Sequence, residues 1–153
     1  MAANVPGPAA AALLAAQGMA VIKIEPPAGD MTATIMPGWY AELNAAARVE
    51  TVDLRAEAGQ ARFRDLLTGA DVLISSHRPA ALARLGITVP ALAQVNPALV
   101  WVEIVGDTEA PEVPGHDLTY QATRGLLDPP SMPRSPSSTS SAPSAPSRQR
   151  SPA

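Results

Sequence analysis

Residues 99–105, LVWVEIV, are the stretch that decides the fold. Their β-branched apolar residues show no helical period and predict a strand. Three further segments have the same character, namely 20–25 (AVIKIE), 49–54 (VETVDL) and 71–74 (DVLI). Short apolar runs of this kind are typical of strands that are buried in a parallel sheet. We therefore expect four strands that lie side by side in one sheet.

Helical segments separate these strands. Pro6-Gly7-Pro8 is predicted to begin the first helix. Proline is tolerated in the first turn because backbone N–H groups there have no intrahelical partner, so the N–H that proline lacks is not needed. The predicted helices are 6–17, 56–68, 80–85, 89–95 and 116–127, while 28–47 shows no consistent period and is interpreted as a long loop with one helical turn. Strands that alternate with helices imply right-handed crossovers. The predicted class is α/β with an open, Rossmann-like parallel sheet.

The predicted sheet is incomplete at its start. A domain of this class usually begins with a strand, whereas this chain begins with a helix, so a first strand is expected to be missing. At the other end, residues 129–153 are rich in Ser, Pro and Ala and contain no Leu, Ile, Val or Phe. Such a segment cannot bury enough apolar surface to offset the entropy of ordering it. We interpret 1–128 as a partial Rossmann-like domain and 129–153 as a disordered tail.

Composition excludes several classes of function. The net charge is −3, and the tail carries three arginines and no acid, which leaves −6 on residues 1–128. An acidic body argues against nucleic-acid binding. The apolar run 9–16 has no preceding Lys or Arg and is broken by Gln17-Gly18, so we expect a cytoplasmic protein without a membrane partner. With no cysteine and only two histidines, no metal site is predicted.

Four collinear stretches between residues 7 and 127 resemble the class III coenzyme A-transferase family (CaiB/BaiF). Residues 21–26, VIKIEP, which follow a small-residue helix and Gly18, resemble the family's opening "VIKVE-P" strand. Residues 44–54 are similar to its "N-R-x-K-R-S-V-x-L-D-L" element. Residues 70–86, with ADVLI, Arg78-Pro79 and RLG, resemble "ADVLIENFRPG…ERLGL". Residues 96–100 (NPALV) and 115–120 (GHDLTY) are similar to "NPRLIY" and the "G-H/Y-D" helix.

This resemblance implies a reaction class. The family's enzymes, which include formyl-CoA transferase, carnitine CoA-transferase and alpha-methylacyl-CoA racemase, move coenzyme A between carboxylic acids or racemise 2-methylacyl-CoA thioesters. They have a large Rossmann-like domain and a smaller one, in interlocked dimers. By resemblance this chain is the amino-terminal part of such an enzyme, and the second half of the family fold is missing.

A coenzyme A site is expected at the carboxyl ends of the strands. Coenzyme A carries a pyrophosphate and a 3′-phosphate, which guanidinium groups bind well. Arg78 follows the strand at 71–74, at the edge where open α/β sheets bind ligands, and Arg84 lies in the next helix. By resemblance both would meet the phosphates, and Asp53 and Leu54 would line the nucleotide cleft. The alternative is that both arginines are ordinary solvated side chains near helix ends.

Other positions depart from the family's pattern. Lys23 and Pro26 lie where the family often has basic residues near the adenine, but position 26 is a proline here, and Ala47 replaces a common lysine. Residues 106–111 place Asp107 and Glu109 where the family has a glycine-rich turn. Acids at that place would repel an anionic cofactor.

His116 is the candidate acid/base residue. By resemblance it would take or give the proton next to the thioester, and an imidazole has a suitable pKa for that step. Asp117 and Tyr120 of the same helix are expected to contact the cofactor. The alternative is that His116 only caps or packs against its helix. The family's catalytic aspartate lies in a later "G-D-x-x-G-G" element, and the only later acid here, Asp128, lacks those glycines.

These observations leave three hypotheses. The first is a truncated transferase or racemase that is inactive alone, because one base without its partner acid supports neither two-sided proton transfer nor a covalent intermediate. The second is a non-catalytic fragment that binds coenzyme A or pairs with a complementing fragment or a second copy. The third is an NAD-type Rossmann domain, which is disfavoured since no Gly-x-Gly-x-x-Gly follows any predicted strand.

Overall fold

The computed structural model describes residues 1–2 and 5–128. Helices and strands follow one another in the order α1 (Pro6–Ala16), β1 (Val21–Glu25), α2 (Met31–Ile35), α3 (Pro37–Leu43), β2 (Ala47–Thr51), α4 (Glu57–Thr68), β3 (Val72–Ser75), α5 (Pro79–Arg84), α6 (Val89–Val95), β4 (Val100–Glu103) and α7 (Asp117–Thr123). The chain divides into two compact units, and the boundary in the sequence lies between Val113 and Pro114. The predicted disordered tail, 129–153, lies outside the described residues.

The strands form two parallel pairs. Val21 of β1 pairs with Ala47 of β2, and the register continues to Glu25 and Thr51. In the second pair the register of β3 on β4 runs from Val72 opposite Val100 to Ser75 opposite Glu103. The predicted parallel α/β class is confirmed. The paired strands are joined by helices, as in part of an open sheet.

The expectation of one continuous sheet is wrong. Within the described part of the chain, β1 and β3 each pair on one side alone, and no strand links them, so the structure contains two two-stranded sheets. The physical reason is that, among the described residues, no strand lies between β1 and β3 to join the two pairs. One edge of β1 and one edge of β3 therefore lack the strand partner that a complete sheet would provide.

The stretch interpreted as a loop, 28–47, contains two helices. The Asp30 carboxylate accepts a hydrogen bond from the Thr32 backbone N–H at 2.8 Å and caps α2. Pro37 occupies the first turn of α3, where proline is well tolerated. Every residue of both helices is at least partly exposed. Neither helix therefore has a buried apolar face, which is the feature that produces a periodic sequence pattern.

The hydrophobic core lies around β3. Its largest fully buried side chains, Phe63 of α4 and Leu82 of α5, are 2% and 0% exposed. Asn96 ties the end of α6 to α4, because its Nδ2 donates to the carbonyls of Leu67 at 3.0 Å and Ala70 at 2.8 Å. The Asn96-Pro97 pair of the sequence thus has a structural role. In the described residues no helix has the length and apolar character to cross a membrane.

Candidate functional site

A cavity of about 740 Å³ lies where three strands end. Glu25 is the last residue of β1, residues 52–55 follow β2, and His77 follows β3. The carboxyl ends of neighbouring parallel strands are where open α/β folds bind their ligands. We call this cavity the strand-end cleft. Its described lining is Met1, Ile24, Glu25, Pro26, Pro27, Ala28, Val52, Asp53, Leu54, Arg55, His77, Ala81, Arg84 and Leu85.

The loop after β2 forms one wall of the strand-end cleft. The Asp53 carboxylate accepts a hydrogen bond from the Arg55 backbone N–H at 3.0 Å, which bends the chain at the end of the strand. Gly59, in the first turn of α4, lies directly against this loop, since a Cβ atom there would be 1.9 Å from the Asp53 carbonyl oxygen. The close approach of helix and loop therefore depends on a glycine at position 59.

Gln60 joins this wall to the opposite one. Its Nε2 donates to the carbonyl of Leu54 at 2.7 Å and to that of Leu85 at 2.8 Å. Leu54 follows β2 and Leu85 follows α5, and both line the cleft. One side chain of α4 thus sets the spacing between the two walls. Gln60 is a positioning residue that sequence reasoning did not identify.

The second wall carries the basic groups. Arg84 is exposed in the last turn of α5 and lines the cleft. Arg78 is the N-cap residue of α5 and is also exposed, but the described lining of the cleft does not include it. Partial burial lowers the pKa of His77 below its ordinary value of 6.5, so the neutral imidazole is favoured.

A buried ionic cluster lies beside the cleft at the end of β1. The Lys23 ammonium lies 2.8 Å from the Glu25 carboxylate and 2.7 Å from that of Asp30. The Tyr40 hydroxyl donates to Glu25 at 2.8 Å, and the Lys23 ammonium sits 4.4 Å from the centre of the Tyr40 ring. We call Lys23, Glu25, Asp30 and Tyr40 the β1 ionic cluster. Glu25, the one acid of β1 in the lining of the cleft, is thus bound by Lys23 and Tyr40 of this cluster.

Mutual stabilisation shifts the titration of this cluster. Burial alone would lower the pKa of Lys23, but the hydrogen bonds and charges of Asp30 and Glu25 outweigh burial and raise it above 10.5. Burial likewise would raise the pKa of Asp30, yet the hydrogen bonds from Lys23 and Thr32 lower it below 3.8. Lys23 is therefore a charged, engaged side chain, 8% exposed, and it lies outside the described lining of the cleft.

The acids of the loop 106–113 make local contacts. Asp107 accepts the backbone N–H of Glu109 at 2.8 Å and so shapes its own turn. Glu112 accepts the backbone N–H of Ala80 at 2.6 Å and caps the start of α5. The carboxylates of Asp107 and Glu112 thus have structural partners within this part of the chain.

The remaining predicted residues belong to the second unit, which begins at Pro114. His116 is the N-cap residue of α7, and its backbone N–H donates to the Thr119 hydroxyl at 2.7 Å. The Asp117 carboxylate accepts a hydrogen bond from the Gln121 side chain at 2.5 Å. The Tyr120 ring packs on Gly115, where an added Cβ would be 1.9 Å from the hydroxyl oxygen. His116, Asp117 and Tyr120 thus share one short helix and its entry.

The structure brings together Asp53, Leu54 and Arg84 of the predicted site residues. It adds Arg55 and His77, which sequence reasoning missed. Both could have been found by the argument that selected Arg78, because Arg55 directly follows one predicted strand and His77 lies three residues after the end of another. Among the described residues, no group of three or more His, Asp or Glu side chains is placed to hold a metal ion.

Comparison with known proteins identifies the family. The model of CoA-transferase family III matches residues 1–145. The chain belongs to CoA-transferase family III. The match extends beyond residue 127, where the motif resemblance stopped, into residues outside the described part of the chain.

The curated relatives that the chain matches are named as CoA-transferases. The chain is 38% identical over 135 residues to a succinyl-CoA:(R)-benzylsuccinate CoA-transferase subunit of Thauera aromatica. The matched region covers 79% of this chain and 33% of the relative. It is 30% identical to a probable fatty acyl-CoA transferase of Mycobacterium tuberculosis, over 80% of this chain and 34% of the relative. The chain therefore spans about a third of the length of the curated relatives that it matches.

Solved structures confirm the fold. A CAIB/BAIF family protein from Brucella suis superimposes with a TM-score of 0.76 at 30% identity, over 84% of this chain and 38% of that one. A hypothetical protein from Mycobacterium tuberculosis gives a TM-score of 0.75 at 31% identity, over 86% and 38%. The incomplete α/β architecture of this chain is the family's fold over part of its length.

Proposed function

We propose that this chain supplies a coenzyme A-binding part of a family III transferase and that the strand-end cleft receives the nucleotide of an acyl-CoA. The observation that carries the proposal is the convergence of Asp53, Leu54 and Arg84 on one cavity at the carboxyl ends of three parallel strands. That position is where an open α/β sheet presents loops and helix ends to a ligand. The names of the curated relatives, which act on coenzyme A esters, support the same ligand class.

The charges of the cleft suit an anionic ligand. Arg55 and Arg84 both line it, and guanidinium groups bind phosphates through paired hydrogen bonds. The one acid of β1 in the lining, Glu25, is already held by Lys23 and Tyr40. Lys23 is shared by Glu25 and Asp30, so the β1 ionic cluster keeps one net negative charge. The guanidinium groups of Arg55 and Arg84 are therefore the groups expected to hold a phosphate in the cleft.

We further propose that the chain alone gives little or no turnover. His116 is the candidate acid/base residue, and in residues 124–153 the only acid is Asp128, which lacks the flanking glycines of the expected partner element. Racemisation removes a proton from one face of the carbon next to the thioester and returns a proton to the other face, so it needs two acid/base groups. Coenzyme A transfer through an acyl anhydride needs a carboxylate nucleophile.

Binding of coenzyme A is the first test. Titration calorimetry of the purified chain with coenzyme A should show saturable binding, and the melting temperature should rise with ligand concentration. Arg84→Gln should weaken binding about tenfold, because a hydrogen bond to a charged group contributes roughly 1.5–3 kcal/mol. Arg64→Gln is the matched control, since Arg64 is exposed on α4 and outside the cleft. Equal weakening by both changes, or no binding at all, contradicts the proposal.

Turnover is the second test. Transferase activity with succinyl-CoA and racemase activity with a 2-methylacyl-CoA should both be at background for the purified chain. The informative comparison is His116→Ala, which keeps the hydrogen bond from the backbone N–H of residue 116 to the Thr119 hydroxyl. Clear activity in the wild-type chain that His116→Ala abolishes would show that the second carboxylate is not needed.

A further inference from the structure

Gln60 of α4 lies behind the strand-end cleft and holds both of its walls. Its Nε2 donates to the Leu54 carbonyl at 2.7 Å and to the Leu85 carbonyl at 2.8 Å. Both leucines are in the lining of the cleft, whereas the described lining does not include Gln60 itself. A ligand in the cleft would therefore meet the two walls but not the side chain that joins them. We call these two hydrogen bonds the wall tie.

The first hydrogen bond of the wall tie fixes the peptide unit that leads into Arg55. The Leu54 carbonyl and the Arg55 N–H belong to the same planar peptide unit. Gln60 engages the carbonyl, and the Asp53 carboxylate engages the N–H at 3.0 Å. Because both polar groups of this unit are hydrogen-bonded, the backbone from which the Arg55 side chain extends into the cleft has a fixed position.

The second hydrogen bond fixes the end of the helix that carries Arg84. Leu85 is the C-cap residue of α5, and the last carbonyls of a helix have no intrahelical partner. Gly86, with a φ of 73°, turns the chain away, and the N–H groups of Gly86 and Ile87 close the last turn on earlier carbonyls of the helix. The Leu85 carbonyl, one residue after Arg84, is left for Gln60.

A glutamine side chain suits this double contact. Its NH₂ group carries two hydrogens and can donate to two acceptors at once. Gly59, the preceding residue, lets α4 approach the loop after β2, since a Cβ atom at that position would be 1.9 Å from the Asp53 carbonyl oxygen. The close approach of α4 and the length of the glutamine side chain together allow one amide to reach both walls.

We propose that Gln60 is a positioning residue for the ligand of the strand-end cleft, which holds Arg55 and Arg84 so that both guanidinium groups bind anionic groups of one coenzyme A molecule. This inference rests on the proposed function, because it concerns the same ligand. Backbone segments that are fixed before binding lose less conformational entropy when the ligand arrives than segments that move independently. The wall tie thereby increases affinity without touching the ligand.

A second side-chain amide of the chain provides a matched control. Asn96 also donates to two carbonyls, those of Leu67 at 3.0 Å and Ala70 at 2.8 Å. None of these three residues is in the described lining of the cleft. Asn96→Leu therefore removes the same kind of contact at a place where no ligand is expected. A tie that acted only through general stability would give Asn96→Leu and Gln60→Met the same effect on coenzyme A binding.

Coenzyme A affinity is the first measurement. Gln60→Met keeps the length of the side chain but has no N–H donor. In titration calorimetry of the full chain it should bind coenzyme A about tenfold more weakly than the wild type, because misplaced guanidinium groups lose charge-assisted hydrogen bonds. Asn96→Leu should bind like the wild type. If Gln60→Met does not fold by circular dichroism, Gln60→Asn serves instead, since it keeps the amide on a side chain one methylene shorter and should also weaken binding.

A double-mutant cycle tests whether Gln60 acts through the arginines. In an Arg84→Gln background one of the two guanidinium groups is already absent. Loss of the wall tie should then weaken binding by less than about threefold, because residues that act as one unit are not additive. Asn96→Leu should leave the effect of Arg84→Gln unchanged.

Hydrogen exchange of the ligand-free chain measures the positioning directly. The Arg55 amide is hydrogen-bonded to Asp53 on one wall, and the Gly86 amide is hydrogen-bonded to the Ala83 carbonyl on the other. Both amides should exchange faster when the wall tie is removed, because each wall then opens more often. Asn96→Leu should leave the exchange of both amides unchanged.

The possible results separate this inference from the proposed function. Wild-type affinity in both Gln60→Met and Gln60→Asn, together with weaker binding by Arg84→Gln, would refute the inference and leave the proposed function standing. Equal weakening by Gln60→Met and Asn96→Leu would reduce the wall tie to a general contribution to stability. Fully multiplicative effects of Gln60→Met and Arg84→Gln would show that the two residues act independently. A wild-type chain that does not bind coenzyme A would refute the proposed function and this inference with it.

Discussion

The two strand pairs have the same parallel geometry but are held in different ways. The β3–β4 pair packs against α4, α5 and α6, whose buried side chains include Phe63, Leu82 and Leu92. The β1–β2 pair buries Lys23 and Glu25, each 8% exposed, in the β1 ionic cluster. Apolar burial gives stability that depends little on pH, whereas an ionic cluster stabilises only while its groups are charged. One half of the molecule is thus built as a core and the other as a polar network next to the cleft.

The largest effect is expected in the apolar half. Leu82→Ala removes a side chain that is 0% exposed, and the lost burial together with the cavity should reduce the free energy of unfolding by about 3–5 kcal/mol. Urea denaturation followed by circular dichroism measures this change. Leu13→Ala is the matched control, since Leu13 is 68% exposed on α1. A loss below about 1 kcal/mol would mean that the β3 half is not the stable core that its burial indicates.

A smaller loss is expected in the ionic half. Lys23→Met keeps most of the aliphatic stem but leaves Glu25 and Asp30 without their cation. Both carboxylates retain a hydrogen bond, from Tyr40 and from Thr32, so we expect a loss of roughly 1–3 kcal/mol in the free energy of unfolding instead of the larger cost of a wholly unpaired buried charge.

The control for that change is an exposed ion pair of the neighbouring strand. Arg48→Met removes a cation that is 61% exposed beside Glu50, and pairs of this kind contribute little. Its unfolding midpoint in urea should match that of the wild type. If Lys23→Met also left the midpoint unchanged, or raised it, the β1–β2 half would be held by packing like its counterpart, and the contrast between the halves would fail.

Sequence patterns predicted the apolar half better than the polar one. The helix at 89–95 and the strand at 71–74 were predicted within one residue of their ends, because each contains a buried leucine, Leu92 or Leu73, within its apolar pattern. The helices α2 and α3 were missed, because their exposed residues carry no periodic signal. β2 begins at Ala47, two residues before its predicted start, since β1 supplies main-chain partners that periodicity does not see.

The same limit applies to the site. The resemblance to the family predicted Asp53, Leu54 and Arg84, which the cleft brings together. It did not predict the contact of Tyr40 with Glu25, which are fifteen residues apart in sequence and meet only because α3 folds back on β1. Gln60 was missed for a similar reason, as its two carbonyl partners come from different loops. Contacts that depend on tertiary placement leave no local mark in a sequence.

The smallest effect is the pH dependence of the ionic half, and it is the most specific test of the contrast. The pKa of Asp30 is held below 3.8 in the folded state, so its contribution is present above that pH and is lost as the pH falls through the folded value. The pKa of Lys23 is raised above 10.5, so its contribution is complete below 10.5 and is lost as the pH rises through the folded value. Between these limits the contribution of the pair should be constant.

Asp30→Asn isolates this term, because an amide oxygen can still cap α2 but cannot carry the charge that Lys23 requires. The difference in urea midpoint between wild type and Asp30→Asn should be constant from about pH 5 to pH 9 and should shrink as the pH is lowered below 3.8. In a Leu82→Ala background the difference should be the same, since Leu82 belongs to the apolar core and Asp30 to the β1 ionic cluster, and changes at independent sites add. A difference that persists unchanged at low pH, where the Asp30 carboxylate is protonated, would show that Asp30→Asn does not act through the lost charge, and the β1–β2 half would then not owe its stability to a buried charge network.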